Sequence, residues 1–304
     1  MMNRAYIDAV RLLLEVAPEV FHDPVFALKG GTAINLFLHD MPRLSVDLDL
    51  VYTDHSADRD EALQHIGAAL AAASATLESR GIHCERGSSA EETKLFVERA
   101  RVRVKIEINH VFRGTVLPVV SRPLSENGQS TFFTDIELPV LDPDEIYGSK
   151  LVAAMDRQHP RDLFDVLGLY ARNGLTPRIV ECFVCYLAGH NRPIHEVLFA
   201  NPIDITRAYS SEFAGMTRES LALDELLQVR TRLFSELPSA LTAKHRDFLL
   251  GLLRCEPDWS LMHCPHLKDM PAIRWKLANL QRLREANPGK FAAQKTELLK
   301  RLEP

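Results

Sequence analysis

One six-residue stretch, Val46-Asp47-Leu48-Asp49-Leu50-Val51, restricts this chain more than any other. Apolar and acidic residues alternate with period two, so a strand buries Leu48 and Leu50 on one face and turns Asp47 and Asp49 to the other. Upstream, Val25-Phe26-Ala27-Leu28 is a short apolar run closed by Gly30-Gly31, after which Thr32 starts a helical stretch over 33–38. The local order is strand, glycine turn, helix, strand. Downstream, residues 102–109 alternate again and place Lys105, Glu107 and Asn109 on one face, which makes Glu107 a candidate third carboxylate.

Around this core the chain reads as two domains. Residues 6–20 space Ile7, Val10, Leu13, Leu14 and Ala17 along one helical face and are expected to stop at Pro18; a longer helix follows from about 58 to 79. Pro139 and Pro143 punctuate the chain, and beyond Asp144 the pattern is helical, with breaks expected at prolines such as Pro160, Pro177, Pro238 and Pro271. We expect an α/β (α+β) domain with a small mixed sheet over 1–141 and a helical domain over 142–304.

Composition supports a folded protein: of 304 residues, 46% are apolar and 25% charged, with no low-complexity tract. The longest apolar-looking stretch, 66–77, is too short to cross a bilayer, and Asp8 and Glu15 spoil a signal peptide, so a cytoplasmic protein with no membrane partner is expected. Five cysteines without a framework pattern fit reduced thiols. A net charge of −5 argues against nonspecific coating of nucleic acid, yet residues 271–304 hold eight basic against three acidic residues, leaving the tail at +5 and the remainder at −10.

Two aspartates at i and i+2 on a strand can hold Mg²⁺, because hard cations take carboxylate oxygens and keep positions open for phosphate. An isolated Asp-x-Asp is more often a solvated strand face, and it is the setting that changes this. A glycine pair at a helix start lets backbone N–H groups approach a phosphate, while Thr32 either adds a hydroxyl donor or caps the helix. A phosphate cradle, a carboxylate pair and a third carboxylate on another strand together suit metal-assisted nucleotidyl transfer. Cys182 and Cys185 have zinc-like spacing but sit in an apolar helical run, where buried thiols behave as small hydrophobes. Zincin, serine-hydrolase, P-loop and dinucleotide fingerprints are all missing from the sequence.

Lys29-Gly30-Gly31-Thr32-Ala33 followed by Arg43-Leu44-Ser45-Val46-Asp47-Leu48-Asp49-Leu50 resembles the signature of AbiEii/AbiGii-type toxins of the DNA polymerase β-like nucleotidyltransferase superfamily. A second block, Lys150-Leu151-Val152-Ala153-Ala154-Met155-Asp156-Arg157 and then Pro160-Arg161-Asp162-Leu163-Phe164-Asp165-Val166, is similar to that family's lysine-bearing helix and its Arg-Asp-x-x-Asp segment. Residues 271–280 also look familial.

The resemblance implies a polymerase β-like nucleotidyltransferase domain, and a toxin that transfers NMP from an NTP to the 3′ end of tRNA under the restraint of a cognate antitoxin. Asp47, Asp49 and Glu107 would be the Mg²⁺ ligands, acting with Lys150 and Asp165. Lys29, Gly30, Gly31, Thr32, Ser45, Arg157 and Asp162 would line the nucleotide. Lys150 and Arg157 lie two helical turns apart and share a face, and Ser45 shares the strand face of Asp47. Transfer to a small acceptor such as an aminoglycoside, and a non-catalytic nucleotide- or partner-binding module, are the alternatives.

Overall fold

Helix α1 (Arg4–Val20) opens the fold in the computed structural model, which describes residues 3–87 and 93–302. Asn3 caps it by accepting from the Ala5 N–H, and Val10, Leu13, Leu14 and Ala17 are buried. The helix does not stop at Pro18. Its last turn continues to Val20, because proline forfeits one N–H there while Val16, Ala17 and Val20 remain buried and the Phe21 N–H still reaches the Ala17 carbonyl.

Strand β1 (Phe26–Lys29), helix α2 (Gly30–Thr32), strand β2 (Asp47–Tyr52) and helix α3 (Arg59–Ser79) follow; α2 runs directly into a π-helical turn at Ala33–Leu38. Asp58 caps α3 through a capping box with Glu61. Next come β3 (His83–Arg86), β4 (Lys94–Arg99), β5 (Val102–Asn109), β6 (Val120–Pro123), α4 (Glu126–Phe132) and β7 (Glu137–Val140). The seven strands form one mixed sheet in the order β3-β4-β5-β2-β1-β7-β6.

Strand β1 is apolar because it lies inside the sheet, antiparallel to β2 and parallel to β7, with Phe26, Ala27 and Leu28 buried. Strands β2 and β5 run parallel, and their buried residues are Leu48, Leu50, Val51 and Tyr52 on one and Val104, Ile106 and Ile108 on the other. Helix α1 packs along β5 and against α3. Strand β7 escaped the sequence reading because Pro139 lies inside it; its ladder with β1 is a single residue pair, so the missing N–H costs little.

Beyond β7 the described residues are helical: α5 (Pro143–Asp156), α6 (Pro160–Tyr170), α7 (Pro177–Ala188), α8 (Ile194–Leu198), α9 (Thr206–Glu212), α10 (Leu223–Ser239), α11 (Ala243–Leu253), α12 (Pro271–Ala286) and α13 (Pro288–Leu302). Pro160, Pro177 and Pro271 open helices, where an N–H would be unsatisfied anyway. Pro238 is no break at all, lying within the last turn of α10. The chain divides into two compact units: residues through Ile146 with Phe213–Leu221, and Tyr147–Glu212 with residues from Ala222 onward; the first division falls within α5. Among the described residues, no helix is long and apolar enough to cross a membrane.

Candidate active site

Strand pairing in the first unit sorts the charged residues into rows. Directly across the strands, Lys29 pairs with Asp49, Asp49 with Glu107, and Glu107 with Lys94, giving one row over β1, β2, β5 and β4. Asp47 pairs with Lys105 in a neighbouring row. Residues directly opposite one another project to the same side of a sheet, so three carboxylates and three ammonium groups share one face. All six are partly or fully exposed, while the residues between them on β2 and β5 are buried.

The glycine turn is fitted to this face. Gly30 has φ +74°, and a Cβ at this position would lie 2.4 Å from Asp49 Oδ2. Both the backbone angle and the space therefore demand glycine. A Cβ on Gly31 would meet Arg43 Nη2 at 2.7 Å and Ser45 Oγ at 2.9 Å. Asn35 Nδ2 donates to the Gly31 carbonyl at 2.9 Å and steadies the turn from within the following π-helical segment.

Thr32 does not cap the helix. The cap position belongs to Lys29, with no side-chain bond, and the buried Thr32 hydroxyl donates to the Asp47 carbonyl instead. The turn is thereby tied to the first residue of β2. Ser45 is buried as well. Arg43, quoted in the sequence motif without a role, is a fully buried cation whose Nη1 donates to the Leu44 carbonyl at 2.9 Å. A distant segment holds it in place: Arg43 bridges Thr217, the Leu44 N–H donates to Met216 O at 2.8 Å, and the Arg218 N–H donates to Pro42 O at 3.0 Å. This strapping explains why Phe213–Leu221 belongs to the first unit.

Lys105 Nζ donates to Glu107 Oε2 at 2.9 Å, and Lys94 Nζ lies 3.3 Å from Glu107 Oε1. Burial pushes the Glu107 carboxyl up, but the two lysines outweigh it and hold its pKa below the usual value. Burial likewise depresses the Lys105 ammonium, and Glu107, Asp47 and Asp49 outweigh that and raise it. Glu107 thus stands beside Asp49 as an ion-paired carboxylate. Among the described residues, no three His, Cys, Asp or Glu side chains already converge as a metal cage. Cys182 and Cys185 are buried thiols within α7.

The second unit carries its own cluster. Lys150, on α5, donates to Asp162 Oδ1 at 2.8 Å and lies 3.1 Å from Asp165 Oδ2, with all three side chains buried. Arg157 forks onto the same Asp162 carboxylate, through Nε at 2.6 Å and Nη2 at 3.0 Å, while its side chain stays 63% exposed. Burial would raise the Asp162 carboxyl, yet Lys150 and Arg157 overcome this and hold it far below the normal range. Arg157 lies in the turn just past the end of α5 rather than on its face, and it meets Lys150 at one aspartate. The residues singled out in the sequence therefore form two groups. Lys29, Gly30, Gly31, Thr32, Ser45, Asp47, Asp49 and Glu107 gather in the first unit, and Lys150, Arg157, Asp162 and Asp165 in the second.

The chain shares its fold with MenT4, a nucleotidyltransferase toxin from Mycobacterium tuberculosis H37Rv, at a TM-score of 0.59 and 19% sequence identity, over 91% of this chain and 95% of that one. The architecture is that of a nucleotidyltransferase. The family profile described as "Nucleotidyl transferase AbiEii toxin, Type IV TA system" matches residues 11–279, and the chain belongs to that family: it is a nucleotidyltransferase toxin of a type IV toxin–antitoxin system. Among curated proteins, no sequence matches it.

Proposed function

We propose that this toxin transfers a nucleoside monophosphate from an NTP to the 3′ end of tRNA in a Mg²⁺-dependent reaction that blocks translation, and that a cognate antitoxin protein restrains it. The observation that carries the reading is the approach of Gly30 to Asp49, which leaves room for no side chain where the turn meets the carboxylates. N–H groups of a first helical turn lack intrahelical acceptors and suit a phosphate.

Asp47 and Asp49 would hold the divalent ion, with Glu107 as the third carboxylate of the face. The donor set fits Mg²⁺, which keeps several waters and is bound through one or two carboxylates plus substrate phosphates. When bound, such an ion neutralises charge on the triphosphate and favours ionisation of the attacking hydroxyl.

The chain's own residues supply the rest. Lys29, across from Asp49, brings positive charge to the phosphates, while the buried Arg43 and Ser45 brace the turn from behind Gly31. In the second unit, Asp162 and Asp165 fix Lys150, and Arg157 completes the same cluster by forking onto Asp162. The acceptor 3′-oxygen bonds to the α-phosphorus, the bond to pyrophosphate breaks, and the hydroxyl proton passes to a carboxylate, for which Glu107 is held ionised.

An RNA acceptor is supported by the basic tail, where Arg274, Trp275, Arg282, Arg284 and Lys290 are exposed. Exposed tryptophan beside arginine suits unpaired bases. Incubating the protein with total RNA and each labelled NTP in turn tests the reading. We expect label on tRNA, lost without Mg²⁺ and in Asp49→Asn. Label on an aminoglycoside instead, or NTP binding with no transfer to any acceptor, would overturn it.

A further inference from the structure

We propose that Lys105 is a tethered counter-ion that holds Glu107 out of the metal set, so that the face takes a free divalent ion through Asp47 and Asp49 alone. This rests on the metal reading of the face given above. The geometry is specific. Each oxygen of the Glu107 carboxylate has an ammonium group of its own, Lys105 at 2.9 Å on Oε2 and Lys94 at 3.3 Å on Oε1.

On β5, Lys105 is directly opposite Asp47 and Glu107 directly opposite Asp49, so the lysine sits beside one proposed ligand, diagonal to the other, and next to Glu107 on its own strand face. The side chains of Lys105 and Glu107 are each only 35% exposed, which weakens solvent screening of the pair. The electrostatic pull on Lys105 comes from Asp47 and Asp49 as well as from Glu107. An ammonium and a divalent cation compete for the same oxygens, and a residue on the strand is present at all times. The consequence is a face whose affinity for a free ion is held down, which favours an ion arriving already bound to a triphosphate.

The test is calorimetric titration of the full chain with Mn²⁺, without nucleotide. Lys105→Met is expected to bind Mn²⁺ about tenfold more tightly, the scale of a lost charge-assisted hydrogen bond to Glu107. Lys105→Arg, which keeps the cation, should stay within about twofold of the parent, and so should Glu107→Gln. The double variant Lys105→Met with Glu107→Gln should return to the parent affinity. An unchanged or weaker affinity in Lys105→Met overturns the proposal, as does a Glu107→Gln protein that loses Mn²⁺ as fully as Asp49→Asn. Should Lys105→Met fail to fold in a thermal melt, the Glu107→Gln titration decides by itself. If Asp49→Asn leaves Mn²⁺ binding intact, the metal reading of the face fails, a different outcome from failure of the lysine's role.

Discussion

Replacing Gly30 with alanine tests the join between fold and chemistry most directly. Gly30 has φ +74°, and an L-residue in that region costs about 1–2 kcal/mol. The added methyl carbon would start 2.4 Å from Asp49 Oδ2, so either the carboxylate rotates away or the turn shifts. Strain and displacement together come to about 2 kcal/mol, which lowers the melting temperature of a unit this size by roughly 4–8 °C. Transfer should suffer more than stability, because a catalytic group misplaced by about 1 Å costs on the order of a hundredfold in rate. Gly67→Ala is the control: nothing lies within 4 Å of its would-be Cβ inside α3, so the same substitution should stabilise by about 0.5–1 kcal/mol. Thermal melts and labelled-nucleotide transfer measure both. A Gly30→Ala protein that melts with the parent and retains more than about a tenth of its transfer rate would refute the reasoning.

Lys150→Met should lower unfolding stability by about 3–5 kcal/mol in urea titrations, because it strands the buried carboxylates of Asp162 and Asp165; a loss under about 1 kcal/mol would show that they find other partners. The pH dependence of that cluster has a definite sign. Asp162 ionises far below its ordinary 3.8 in the folded chain, so its contribution is complete above the unfolded value and is lost as the pH falls through 3.8 toward the folded one. In Lys150→Met the acid limb of the stability curve should flatten over that window. Asp49→Asn should abolish transfer yet unfold within about 1 kcal/mol of the parent, since a partly exposed carboxylate contributes little to the core.

Where a property depends on neighbours in the chain, the residues announced it. Alternation over 46–51 and 102–109 matches β2 and β5 and their shared charged face, since the side-chain period of a strand is local. Gly30-Gly31 marked the turn for an equally local reason of backbone angle, and Pro160, Pro177 and Pro271, read as breaks, stand at helix starts, where an N–H is unsatisfied anyway. Local rules also misled: Pro18, Pro139 and Pro238 all lie inside elements, because burial or sparse pairing offsets a single lost N–H.

The site's connections lie beyond that reach. Nothing near Thr32 in sequence says that its hydroxyl serves the Asp47 carbonyl, fifteen residues on, rather than its own helix. Arg43 gives no local sign that residues 216–218 will pin it behind Gly31. Lys105 and Glu107 were legible as neighbours on one strand face. Their facing Asp47 and Asp49 is a matter of register between strands more than fifty residues apart, set by which apolar side chains bury together across the whole sheet. The chemical groups and their faces are thus written in short stretches of chain, whereas their encounters follow from packing, which no short stretch contains.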